Sequence, residues 1–333
     1  MTYMRENLRI GFIGQGFVGK SYADDFEQRG HTVIRYALEE PYRANKGAVK
    51  NAHIVFIAVP TPTTPTGFDL GIVESSLRLV GEGKIAVIKS TVLPGTTRRL
   101  QKKFPRIIIL FSPEFLNATT AAQDAANPFA NVIGVPQDTD EHRAAAALVH
   151  SVLPNAAFVH TCSSDEAEVY KYAHNVAGYM QVLTYNLMYD MAREHGAEWD
   201  AIQKALEADP MVSNWYIKPV HKSGRGAGGA CFIKDTAAFT HHYEKTVGHP
   251  AGIAFLKAAQ EKNLALLVST EKDLDLLEGV YGKAVVARAR RKHAAPRTTK
   301  KKAAKPAKEV SASKRPTAKK ASTAKKAAKK SRR

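Results

Sequence analysis

Two cysteines in 333 residues, Cys162 and Cys231, are too few for a disulfide-built fold. They lie far apart in sequence and nothing requires them to pair, which suits a reducing compartment. No stretch approaches the ~18 consecutive apolar residues of a membrane span. The opening Met-Thr-Tyr-Met-Arg-Glu runs straight into an expected strand rather than a signal segment, so a soluble, cytoplasmic chain is expected. The 12 histidines form no metal-like cluster; His241 and His242 are adjacent rather than helically spaced, and no metal is expected. Acidic charge is nearly absent from one end. From Arg288 onward 20 Lys/Arg face a single acid, Glu309, a net of +19. Subtracting this from the whole-chain +18 leaves residues 1–287 at −1. The basic character is therefore an appendage to a near-neutral body.

An apolar content of 44% over this length allows two modest domains with real cores. The first half alternates short apolar runs with helix-like segments, as in a doubly wound parallel sheet of Rossmann type. Expected strands are Leu8–Ile13, Thr32–Tyr36, His53–Val59, Ile85–Lys89, Arg106–Phe111, Asn131–Val135 and Ala156–Val159. Runs such as Ile107-Ile-Ile-Leu-Phe111 suit strands covered on both faces. After Cys162 the texture changes. Ser163 or Ser164 is placed to cap a helix whose first turn carries Asp165, Glu166 and Glu168. That helix runs to Glu194-His195-Gly196, about eight turns at ~3.6 residues each. Its apolar stripe of Tyr172, Val176, Tyr179, Met180, Leu183, Leu187 and Met191 reads as core or a dimer seam. The expected organisation is a dinucleotide-binding domain over 1–161, an all-helical dimerisation domain over 162–284 and a disordered basic tail over 285–333. The tail lacks aromatic residues and cannot bury enough apolar surface to offset its ordering entropy.

Ile10-Gly-Phe-Ile-Gly14-Gln-Gly16-Phe17-Val18-Gly19 follows an expected strand and opens a helix, the context that a dinucleotide fingerprint needs. Gly14 would make the tight turn, Gly16 would admit a pyrophosphate, and Gly19 would let helix pack on strand. After the second strand, Glu39 is placed to hold a ribose 2′-hydroxyl, while Arg35 or Arg43 is placed to meet a 2′-phosphate. NAD is expected and NADP stays open. Ala58-Val-Pro60-Thr61-Pro62-Thr63 is either a stiff loop beside the cofactor or a plain proline-rich turn.

The second concentration of chemistry is Gly226-Ala-Gly-Gly-Ala-Cys231-Phe-Ile-Lys234-Asp235, with Lys171 and Asn175 one helical turn apart upstream. These stretches, with Lys89-Ser-Thr91, Pro113-Glu114-Phe-Leu and Glu168-Val-Tyr-Lys171-Tyr-Ala-His-Asn175, resemble the UDP-glucose/GDP-mannose 6-dehydrogenase family, in the family's order across roughly residues 8–280. Such enzymes oxidise a nucleotide sugar's C6 alcohol to a carboxylate with two NAD. An alcohol taken to an acid passes through an aldehyde, and a thiolate that traps it lets a second hydride leave as a thioester forms. The resemblance makes Cys231 that nucleophile, with Lys234 lowering its pKa and standing near the cofactor. It implies that Lys171 and Asn175 steady an alkoxide or a hydrolytic water, with Asp235 as the group that orients them. Thr91 would hold an oxygen near the nicotinamide, and Glu114 would serve as the base for thioester hydrolysis. The cofactor set is then Gly14, Gly16, Phe17, Val18, Gly19, Glu39, Thr61, Thr91 and Lys234.

Taken singly, each residue has a structural alternative. Cys231 has the less favoured reading of a small buried residue, Asp235 that of an N-cap, and Lys171 and Asn175 that of solvated helix positions. The chain also departs from the family's pattern. Ala118 and Met211 stand where a glutamate and an arginine are usual, Ala130 replaces another arginine, and residues 220–223 read as an insertion. The family's C-terminal UDP/GDP-binding domain is missing where the tail begins. Other readings stay open: a catalytically silent cofactor-binding protein held on nucleic acid by its tail, or a two-electron β-hydroxyacid dehydrogenase, which would need no thiol. Expected partners are a nucleotide sugar, a second copy through the 163–195 helix, and nucleic acid or another polyanion through the 288–333 tail.

Overall fold

The computed structural model describes residues 8–293. Elements follow in chain order: β1 (Arg9–Ile13), α1 (Phe17–Gln28), β2 (Thr32–Tyr36), a 3-10 helix (Tyr42–Asn51) and β3 (Ile54–Ile57). A small hairpin, β4 (Thr63–Thr64) and β5 (Gly67–Phe68), precedes α2 (Gly71–Leu77), β6 (Ile85–Ile88), α3 (Thr96–Lys103) and β7 (Ile108–Phe111). Then come α4 (Ala121–Ala126), β8 (Ala130–Val135), α5 (Asp140–Val152) and β9 (Phe158–Ser163). Among the described residues seven strands form one sheet in the order β2-β1-β3-β6-β7-β8-β9. The order reverses between β1 and β3, and that switch point opens the crevice in which ligands of such sheets bind.

Both faces of the sheet are covered, so its strands alternate between two cores rather than between core and water. Ile10, Phe12, Ile54, Phe56, Ile85 and Val87 face one core with Phe26 of α1 and Val149 of α5. Ile13, Val55, Ile57, Ala86 and Ile88 face the other with Val49, Leu77 and Leu100. This alternation explains the continuous apolar runs. Phe12 stacks on Phe56 with centroids 5.0 Å apart, and Phe26 meets Phe12 edge-on at 5.4 Å.

Three expectations need correction. The sheet is mixed, because β7 and β8 pair antiparallel through Phe111 and Gly134. Residues 112–129 carry only the six-residue α4, and the chain re-enters at the edge it left, whereas a parallel crossover would begin from the opposite edge. The last strand runs to Ser163 rather than ending at Val159, pairing in parallel with β8 along its whole length. The third strand ends at Ile57 rather than Val59, because the Ser90 hydroxyl accepts from Val59 N at 2.9 Å and donates to Val59 O at 2.7 Å, which satisfies that residue outside the ladder.

The second half begins without a linker. Ser163 ends β9 and caps α6 (Ser164–Glu194), closing a capping box with Glu166. At ~1.5 Å per residue this 31-residue helix is about 46 Å long. After it come α7 (Trp199–Ala208), the hairpin β10 (Val220–His221) and β11 (Gly224–Arg225), α8 (Gly229–Thr246), α9 (Pro250–Ser269), α10 (Leu274–Tyr281) and α11 (Lys283–His293). The hairpin means that this half is not wholly helical. Helix α11 also moves the expected start of the tail: residues 285–293 are helical, and Val286 is fully buried beside Leu267 and Leu277. Alanine, arginine and two valines there supply helix propensity with an apolar edge. The rest of the expected tail lies outside the described residues.

Candidate active site

The cofactor end forms at the C-terminal edge of β1. Gly14 has φ +92°, and a Cβ there would stand 2.2 Å from Ala58 O; a Cβ on Gly19 would stand 2.0 Å from Gly14 O. Both positions therefore demand glycine, one for conformation and both for space. Gly16 differs: a Cβ would meet nothing within 4 Å, so the space before α1 is open. The first turn of α1 has neither an acidic residue nor a side-chain cap, which leaves its N–H groups for an anion. This open space at Gly16 and these uncapped donors fit a pyrophosphate. Phe17 is 45% exposed at the same mouth, while Val18 packs on the core.

Arg35 is held by carboxylates, with Nη1 2.7 Å from Asp24 and Nη2 2.6 Å from Glu27. Its charge is satisfied before any 2′-phosphate arrives. Arg43 donates to Leu38 O at 2.6 Å. Glu39 stands exposed at the end of the β2 turn. Thr61 donates to Thr91 O at 2.8 Å, which ties the loops after β3 and β6 into one buried wall.

Helices α6 and α8 bring the chemistry together. On α6, Glu168, Lys171 and Asn175 share the buried face. Gly178 makes the approach of α8 possible, since a Cβ there would lie 2.8 Å from Phe232 and 2.9 Å from Tyr216. Cys231, Lys234 and Asp235 occupy the first two turns of α8 at i, i+3 and i+4 and so share one face; the helix starts at Gly229 with Gly228 as its N-cap, so Asp235 is not a cap. Asn175 Nδ2 donates to Asp235 Oδ2 at 2.6 Å, and Lys234 Nζ pairs with Asp235 Oδ1 at 2.5 Å. Asp235 is fully buried, so these two donors are what make its charge tolerable. Lys171 donates to Glu114 O, lies 3.6 Å from Glu114 Oε1, and sits 4.8 Å over the Phe115 ring. Glu114 Oε2 accepts in turn from Leu116 N at 3.0 Å.

Cys231 is exposed as a residue, yet the protein around its thiol pushes it above the ordinary range. Desolvation leads and Asp235 adds to it, while Lys171 and Lys234 pull down and Glu114 pushes up. The expectation that Lys234 leaves a lowered pKa is corrected: Lys234 acts in that direction, but desolvation outweighs it and its ammonium is shared with Asp235. The remaining stabilisation for a thiolate is the start of α8, where Cys231 is the third helical residue. By contrast Cys162 sits in β9 against the second core, and burial pushes it up to about 11.

Three features have roles that the motifs do not assign. Glu168, expected as a first-turn acid favouring the helix dipole, lies past the first turn of α6, is buried, and accepts from Gly95 N at 2.6 Å and from Thr97 N and Oγ1 at 2.8 and 2.6 Å. It thereby ties α3 to the helix that carries Lys171. Lys89, at the end of β6, is buried 4.4 Å over the Tyr22 ring with Nζ 3.0 Å from Ser112 Oγ; burial pushes it down to about 8, with Glu114 and Lys171 acting in opposite directions. A lysine closing the apolar run Ile85-Ala-Val-Ile88 was the available signal. The third is Gly178, whose signal was an unbroken helix with one glycine. Ala118 and Met211 lie exposed and Ala130 begins β8.

Comparison with known proteins matches residues 39–152 to the NAD binding domain, and residues 165–265 to the central domain, of the UDP-glucose/GDP-mannose dehydrogenase family. The UDP-glucose 6-dehydrogenase AglM of Haloferax volcanii is 27% identical over 285 residues, covering 69% of this chain and 64% of that protein. The UDP-glucose 6-dehydrogenase TuaD of Bacillus subtilis is 29% identical over 251 residues, covering 72% and 52%. A solved UDP-glucose dehydrogenase from Pyrobaculum islandicum superposes with a TM-score of 0.67 at 26% identity, covering 84% of this chain and 72% of that one. The chain thus spans between about half and two thirds of the length of these curated relatives.

Proposed function

The chain belongs to the UDP-glucose/GDP-mannose dehydrogenase family, and from that premise we propose that it oxidises the C6 alcohol of a nucleotide sugar to a carboxylate through covalent intermediates on Cys231. The observation that carries this reading is that Cys231 shares one face of α8 with Lys234 and Asp235, and that Asp235 bonds Asn175 of α6 at 2.6 Å across helices packed through Gly178. Gly14, Gly16, the first turn of α1 through Phe17, Val18 and Gly19, Glu39, Thr61, Thr91 and Lys234 would hold NAD. NAD held there, exchanged once during the cycle, would supply a hydride acceptor for each of the two oxidations.

The residues divide the remaining work. Lys171, fixed by Glu114 O, donates to the substrate oxygen and stabilises the alkoxide on the way to the aldehyde. Cys231 Sγ then forms a C–S bond to the aldehyde carbon while the thiol proton passes to the carbonyl oxygen, giving a thiohemiacetal. Loss of the second hydride from that carbon, with the hydroxyl proton released to water, leaves a thioester. Asp235, steadied by Asn175, orients water. Glu114 takes a proton from that water as its oxygen bonds to the acyl carbon, the C–S bond breaks, and the thiol is restored as the carboxylate leaves.

Two further parts of the reading concern partners. The exposed end of the α6 stripe, with Leu187, Met188 and Met191 all about half exposed, is the surface through which two copies would pair. The Lys/Arg-rich segment after residue 293 would hold nucleic acid or another polyanion by charge alone.

The test is to incubate the purified chain with NAD and UDP-glucose, GDP-mannose or related sugars, and count NADH per sugar consumed. Two per sugar, abolished in Cys231→Ser, is the expected result. One per sugar, unaffected by Cys231→Ser, would replace this reading with a two-electron dehydrogenase.

A further inference from the structure

The stretch that delivers Cys231 is rich in glycine, with Gly224, Gly226, Gly228 and Gly229 in six residues. Such a stretch has little stiffness of its own. Six of its backbone groups are nevertheless bonded by one neighbour, the end of α9 and the turn that follows it. Arg225 N donates to Thr270 Oγ1 at 3.1 Å. The buried ammonium of Lys272 donates to Gly226 O at 3.0 Å and reaches Gly224 O at 3.5 Å. Gly229 N donates to Asp273 Oδ2 at 2.8 Å. Ala227 exchanges both of its backbone bonds with the Asn263 amide, at 2.7 and 3.0 Å. Side chains at Gly224 and Gly228 would collide with this neighbour, at 2.4 Å from Thr270 Oγ1 and 2.1 Å from Asp273 Oδ2.

The neighbour itself is an unusual turn. Glu271 and Asp273, both non-glycine, have φ +54° and +53°, a left-handed conformation that L-residues adopt only where surroundings enforce it. Between them Lys272 is 6% exposed, and its bonded partners are carbonyls rather than a carboxylate, a costly placement for an ammonium. None of these residues is among the charges felt by the Cys231 thiol, so any influence passes through the loop.

We propose that the turn over 270–273, with Asn263 of α9, is a latch that fixes the glycine loop and the start of α8, and that Lys272 and Asp273 are positioning residues for Cys231. The catalytic consequence rests on the proposed thiol chemistry; the latch itself does not. A loop released at Gly226 and Gly229 would fray the first turn of α8 and move Cys231, already exposed as a residue, away from Lys171 and out of the surroundings that hold its thiol protonated, so that it alkylates faster.

The test is alkylation of the full-length chain with iodoacetamide, read by peptide mass spectrometry as the ratio of Cys231 to Cys162 labelling. Cys162, anchored in β9, is an internal reference, because global loss of stability raises the labelling of both thiols whereas local release of the loop raises that of Cys231 alone. Lys272→Met, Asp273→Asn and Gly228→Ala are expected to raise the ratio about tenfold, with Lys272→Arg close to the parent. If the chain oxidises sugar, kcat falls in the three variants while KM for NAD holds. A ratio within about twofold of the parent, or a parallel rise of both thiols, would overturn the proposal. Should Lys272→Met not fold, amide exchange in the parent chain decides it: residues 225–231 must be protected as well as α9. A chain inactive on every sugar still gives this readout, so failure of the latch and failure of the proposed reaction remain distinguishable.

Discussion

Arg35 is the residue at which cofactor choice can be argued from charge. Its side chain is 11% exposed and its guanidinium engages Asp24 and Glu27 together. A third anion, the 2′-phosphate of NADP, would meet a cation already neutralised and two carboxylates that repel it. Glu39 stands in the turn after β2, where a ribose hydroxyl would be accepted. The chain should therefore prefer NAD. Removing the competing charges with Asp24→Asn and Glu27→Gln together should free Arg35 and strengthen NADPH binding by about tenfold, the scale of one charge-assisted hydrogen bond. Fluorescence titration with NADH and NADPH measures both sides of the comparison. An unchanged preference would mean that Arg35 cannot turn toward the ribose even when released.

Helix α6 links the scales, because one of its faces carries both a catalytic candidate and a structural acid. Burial pushes the Glu168 carboxyl up to about 7, while its hydrogen bonds from Thr97 and Gly95 act the other way. The folded state then holds a proton that the unfolded chain gives up at lower pH. Stability from this group is full below the unfolded value and falls as pH rises toward 7. A urea midpoint that declines from pH 5 to pH 8 is expected, and Glu168→Gln should flatten it, since an amide does not titrate. The same variant should lose about 1–3 kcal/mol at pH 5, because its NH2 faces donors on α3. Gly178→Ala should destabilise by about 1–3 kcal/mol through overpacking, and should lower activity by pushing α8 away from Asn175. Both effects also mark where sequence patterns stop. The continuous apolar runs of the strands and the Ser163 to Glu166 spacing of the cap are local, so strands and helix were legible, as were the side chains that α6 and α8 bring together. The turn of β8 to antiparallel, the burial of Glu168 and the helical placement of Cys231 depend on partners more than 40 residues away or on how a loop settles. No local spacing encodes them.

At the scale of the whole molecule, the charge distribution separates two properties that the chain carries in sequence. Residues 1–287 have a net charge of −1, and beyond residue 293 there are 16 Lys/Arg with one acid. A polycation of this density releases counterions when it meets a polyanion, so the logarithm of affinity should fall linearly with that of salt, at ~0.9 per phosphate neutralised on duplex DNA. The segment has no aromatic residue to stack on bases, so sequence preference should be absent. Deleting residues 294–333 leaves α11 intact, and with it the Val286 contact that closes the helical core. The truncated chain should keep its NADH stoichiometry and thermal midpoint. Its DNA affinity should fall by at least ~10³ at 50 mM salt, because essentially all non-specific binding is of this ionic kind. Fluorescence anisotropy with labelled duplex across a salt series measures slope and loss together. If the truncated chain binds as well as the parent, the basic turns of α11, with Arg288, Arg290, Arg291 and Lys292, hold the polyanion instead, and neutralising those four must then remove binding.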